Sequence, residues 1–166
     1  MLYGTLVATH ITGALGALIT GFLAITLQAN TPTHRIVGKW YLAMWMLLFV
    51  GGLGIAIHAR QFSAFQVLNW LGLGFALRAY YIVLRRKSIG RQWLRKHYVN
   101  MLTSLAFVCI ASIYFVIRRT MPELWWTIIP LSIAPQFIIP VYVRKLDQRY
   151  GFGKTQPAAA EVASAA

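Results

Sequence analysis

Acidic side chains are almost missing from this chain: of 166 residues only Glu123, Asp147 and Glu161 are acidic. No carboxylate pair is available for general acid/base work, no Gly-rich phosphate loop follows a strand, and no Ser or Cys has a base at hand. Hydrolase and transferase chemistry of the soluble kind is therefore not expected. Cysteine is just as scarce. The single Cys109 lies in an apolar segment, which excludes an internal disulfide and a Cys-based metal cluster.

Charge as a whole is also in short supply. Charged residues make up 11% of the chain against 58% hydrophobic, with a mean hydropathy of +0.61. A soluble domain carries about 25% charged residues. So little charge cannot cover a water-facing surface, and the expected class is an all-α, polytopic transmembrane helix bundle forming one domain.

What charge there is has one sign. The formal net charge of +13 could suggest a nucleic-acid partner, but that needs a basic face on a soluble fold. Here Lys and Arg lie between apolar segments, where they act as topology signals with anionic lipid headgroups as neighbours. No nucleic-acid partner is expected.

Five spans follow from the apolar runs, at about 2-27, 36-58, 65-84, 98-117 and 125-143, each near the length that crosses a hydrocarbon core of about 30 Å. The first has no basic leader region and no convincing cleavage site, so it is expected to be retained. Gln28-Ala29-Asn30-Thr31-Pro32-Thr33 reads as a turn. The fifth contains Pro130, Pro135 and Pro140, each of which removes a backbone donor and can kink a helix. The bundle is thus four core helices, spanning 1-147 with a proline-kinked fifth, and 148-166 is expected to be a disordered cytoplasmic tail.

Sidedness follows from counting charges, because Lys and Arg favour cytoplasmic loops. In the five-span arrangement one side collects Arg35, Lys39, Arg85, Arg86, Lys87, Arg91, Arg95, Lys96, Arg144, Lys145, Arg149 and Lys154; the other has only Arg60, Arg118 and Arg119. The N-terminus is expected outside and the C-terminus inside.

Topology gives each histidine a depth. His34 and His97 fall at the cytoplasmic ends of their helices, His10 and His58 in the outer half. At about 100° per residue, His34, Gly38, Tyr41, Trp45, Gly52 and Ala56 lie within roughly 40° of one line, a stripe that faces protein. His10 heads a stripe of small residues, Ala14, Ala17 and Gly21, that lets helices approach closely in lipid. His97 continues through Met101, Ser104 and Val108.

Neutral imidazoles on neighbouring helices can hold a haem iron axially. The matched depth of His34 and His97 makes them the candidate ligands of haem b or another metal, with His10 as a further candidate. His34 and His58 are separated by about 36 Å of helix, too far for a two-haem relay. The ordinary alternative is that His34 caps a helix, His97 faces headgroups and His10 is hydrogen-bonded to a neighbouring helix. Arg78 is the one strong charge placed within the hydrocarbon. It either snorkels to the interface or, like Arg35, holds an anionic group.

The order His10, Gly16, Gly21, then His34-Arg35-x-x-Gly38-x-x-Tyr41, then Trp93, His97 and Met101, resembles the bacterial integral-membrane family called domain of unknown function 2306, over about residues 5 to 120. The resemblance implies a small multi-pass protein of the bacterial inner membrane with histidines at one membrane face. In layout it is also similar to the cytochrome b561 and ferric-reductase class of haem bundles. Three functions remain open: a redox protein using His34, His97 and His10 with Arg35, Arg78 and Tyr41 in the site; a carrier for a lipid or quinone; or a structural subunit of a larger membrane complex or homo-oligomer.

Overall fold

The computed structural model describes residues 1–152, apart from the side chains of Ala64 and Trp125. Among these residues all regular structure is helical. Five long helices are α1 (Leu2–Thr26), α2 (Pro32–Ala59), α3 (Ala64–Leu84), α4 (Trp93–Thr120) and α5 (Ile128–Tyr150). Short turns at Arg86–Ile89, Gly90–Gln92 and Pro122–Thr127 join the later ones. Four of the long helices, α1 to α4, are long and apolar enough to cross a membrane.

Local chemistry sets the ends. Asn30 takes the left-handed region at φ 69°, which turns the chain after α1. Thr31 then caps α2, its hydroxyl accepting from the His34 N–H at 3.2 Å, and Pro32 occupies the first turn where a missing N–H costs nothing. Helix α2 therefore starts four residues before the expected boundary at 36. Likewise α4 starts at Trp93, not 98, so His34 and His97 lie inside their helices rather than just before them.

Helix α5 begins at Ile128 because Pro122–Thr127 is wound as a 3₁₀ segment. It runs as continuous helix through Pro135 and Pro140 to Tyr150, where Gly151 at φ 75° ends it. The expected disordered tail from 148 is thus corrected at its start, since residues 148–150 are helical. The rest of that expectation, from 153 on, lies outside the described residues.

The first four long helices form a ring. Helix α1 packs on α2, α2 on α3, α3 on α4, and α4 returns to α1, while α5 packs on α4 alone among the long helices. This makes α1/α3 and α2/α4 the diagonals. The seam between α1 and α2 is closest at two glycines: a side chain at Gly13 would run into the Leu48 backbone, and one at Gly51 would come within 2.6 Å of the His10 nitrogen. Without a strong solvent-driven force between helices in lipid, such backbone approach supplies the packing.

The core holds Ala17, Tyr41, Trp45, Leu48, Leu73, Ala76, Leu105 and Val108. Hydroxyls on the helices mostly satisfy themselves: Thr20 donates to the Gly16 carbonyl at 2.6 Å and Thr103 to Val99 at 2.9 Å. In hydrocarbon that removes the cost of an unpaired polar group.

Candidate functional site

A cavity of about 440 Å³ opens at the end of the ring where α1 turns into α2. That volume falls in the roughly 300–1,000 Å³ range of small-molecule and cofactor sites. Residues of all five long helices line it, and they include His34, Arg35, Gly38 and Tyr41. The four specified positions of the His-Arg-x-x-Gly-x-x-Tyr element therefore meet in one place. Spacing explains this only in part: His34, Gly38 and Tyr41 share the inward stripe, but Arg35 is about 100° away and reaches the cavity from its flank.

His34 and His97 face each other across the α2/α4 diagonal, ring centres 6.3 Å apart and planes at 76°. His97 Nδ1 lies 3.1 Å from the Ala79 carbonyl. A carbonyl only accepts, so Nδ1 carries the proton and Nε2 is left with its lone pair. The His34 backbone is fixed by the Thr31 cap, and its buried Nδ1 has no protein partner. Trp93 lies alongside His97, rings 6.4 Å apart.

Between these histidines and the core, Tyr41 is 1% exposed and its hydroxyl shares a hydrogen bond of 2.8 Å with Ser104. Gly38 provides room, because a Cβ built there meets nothing within 4 Å. The rim is basic. Arg35, Lys39 and Arg86 all line the cavity, and Arg35 Nη2 donates to Asn30 Oδ1 at 2.7 Å.

The end of α5 closes one side. Leu146 and Tyr150 line the cavity. Tyr150 stacks on Tyr98 at 6.5 Å, and its hydroxyl accepts from the Ala29 N–H at 3.4 Å. Asp147 accepts from the Tyr98 hydroxyl and from Arg95 Nε, the latter at 3.2 Å.

Two residues expected at the site lie elsewhere. His10 donates to Leu48 rather than facing the cavity: its Nδ1 is 2.9 Å from that carbonyl, which makes Nδ1 the donor. It packs against Gly51, about 26 Å of helix from His34. The ordinary reading of His10 as an interhelical hydrogen bonder is the observed one. Arg78 is exposed on α3 and is not part of the cavity lining, so the structure does not bring it to the histidines. His58 is also remote and exposed, its ring tilted 32° against that of Tyr3 with centres 5.5 Å apart.

Several contributors escaped the sequence reading. By their position in the sequence Lys39 and Arg86 read only as topology charges, and Tyr150 falls in the expected tail. Asp147 carries a usable signal, an acid in a segment otherwise rich in Tyr and Arg. Gln66 and Asn69, buried in α3 with amide atoms lacking protein partners, gave no signal beyond their polarity in an apolar run.

The helical ring, its apolar length and this cavity define a multi-pass membrane protein with a pocket at its basic end. Comparison with protein-family models, with curated proteins and with solved structures yielded no match.

Proposed function

We propose that this chain is a small redox protein of the bacterial inner membrane that binds b-type haem between His34 and His97 and carries electrons. The observation that carries the reading is the pair itself: two half-buried imidazoles, from diagonal helices, with ring centres 6.3 Å apart. His34 and His97 would be the residues to hold the group, since His97 Nδ1 donates to Ala79 and leaves Nε2 with a lone pair for a metal.

The donor set favours haem over a bare ion. A protein-held transition metal takes about four donors, and among the described residues no group of three or more His, Cys, Asp or Glu is placed to hold one. A haem brings most of its iron's donors itself, so the two imidazoles of His34 and His97 would suffice to hold it. When bound, it provides one-electron transfer. The chain's own part is to fix the His97 tautomer through Ala79, to admit the macrocycle beside Gly38, and to exclude water with an apolar wall.

In this reading the basic end faces the cytoplasm, the N-terminus lies outside and α5 is a fifth crossing. Its 23 residues extend about 35 Å beside α4. The His34 to Tyr41 element keeps the chain alongside the domain of unknown function 2306 family.

Absorption spectra of the detergent-purified protein, oxidised and dithionite-reduced, test the proposal. A Soret band with sharp reduced bands at near one haem per chain is expected. A colourless protein from haem-replete cells overturns it; a co-purifying lipid or quinone would then identify a carrier that uses the same cavity.

A further inference from the structure

We infer that the occupant of the cavity is anionic, and that it seats carboxylates against Arg35, Lys39 and Arg86. The inference rests on the haem proposal and adds that haem binds there as its free diacid, held by its two propionates.

The walls are largely apolar, yet three basic side chains from two separate segments line one cavity, and among the described residues no carboxylate lines it with them. Asp147 is engaged by Arg95 and Tyr98 and is not among the residues that line the cavity. Like charges gathered beside a low-dielectric wall repel one another, and an anion relieves that repulsion.

The geometry of Arg35 is prepared for such a group. Asn30 is held in the left-handed region and its side-chain oxygen takes one Arg35 nitrogen at 2.7 Å. This orients the planar fork, which matches a carboxylate edge with two parallel donors. Lys39 lies one turn further along the same flank of α2. Gly38, between them in sequence, keeps the path from His34 to this flank open. His34, Arg35 and Lys39 thus lie within about two turns at the start of α2. A neutral quinone would leave the rim unpaired. A lipid phosphate shares the anionic chemistry, and the experiment must separate the two.

Protein expressed in haem-deficient cells and purified in a neutral maltoside detergent is titrated with ferric protoporphyrin IX and, separately, with its dimethyl ester, following the Soret band. The free acid is expected to bind about tenfold tighter or more, each charge-assisted carboxylate contact contributing. In Arg35→Gln/Arg86→Gln that ratio should fall toward one, and in Arg78→Gln it should persist.

Equal affinity of the two porphyrins for the wild type overturns the inference while leaving haem binding intact. No Soret band with either overturns the haem proposal instead. Repeating the titration with added phosphatidylglycerol identifies the source of the anion: an advantage that persists assigns the rim to the porphyrin carboxylates, and one that disappears assigns it to lipid phosphate and sinks the inference.

Discussion

His34 and His97 have the same proposed role but different support. His97 is oriented by a carbonyl from α3, whereas His34 is held chiefly through its backbone at the start of α2. Replacing either by Ala should abolish bound haem, read as loss of the Soret band, because one axial ligand does not restore the other. His58→Ala should leave the spectrum intact; equal loss in all three would sink the pairing. Gly38→Leu gives a complementary result. Its side chain enters open space, so the protein should stay folded by size-exclusion chromatography while haem content falls sharply. Tyr41→Phe removes a buried hydrogen bond to Ser104 and should cost about 1 kcal/mol in thermal or denaturant unfolding.

At the scale of elements, the α1/α2 seam and the α5 attachment differ in kind. The seam depends on missing side chains at Gly13 and Gly51, so Gly51→Val must part the helices. A loss of about 1–3 kcal/mol or more is expected in an SDS-titration unfolding assay. Helix α5 is instead fastened by polar contacts at its end, with Asp147 meeting Tyr98 and Arg95. Asp147→Asn weakens the charged contact. Its expected signature is faster amide exchange over residues 141–150 with little change in α1 and α2, measured by hydrogen–deuterium exchange mass spectrometry.

For the whole molecule, the charged ends argue one orientation. The end that holds the cavity also holds Arg35, Lys39, the Arg85 to Lys96 stretch and the end of α5. A periplasm-active reporter fused to the C-terminus should be silent and a cytoplasm-active one bright. The reverse result would place the cavity outside and remove the five-crossing arrangement.

The helices themselves were legible in the sequence. A chain in lipid must satisfy each backbone N–H and C=O within its own segment, so an apolar run of sufficient length specifies a helix with little reference to its neighbours. The inward stripe of α2 was legible for the same reason: Tyr41, Trp45, Gly52 and Ala56 recur at the helical period and all are buried. The matched depth of His34 and His97 likewise follows from position along two runs, and the fold does bring these rings together.

Only the tertiary structure decided which helices stand opposite one another, and several assignments turned on that. It placed Arg86, not Arg78, at the cavity, although both lie near the same end of α3. It paired His10 with the Leu48 carbonyl, and it carried Tyr150 back to the α1–α2 turn, 121 positions away in sequence. Periodicity records which face of a helix is apolar but not which partner covers that face. The contacts that close this cavity join residues far apart in sequence, and their geometry is set by the packing of the ring.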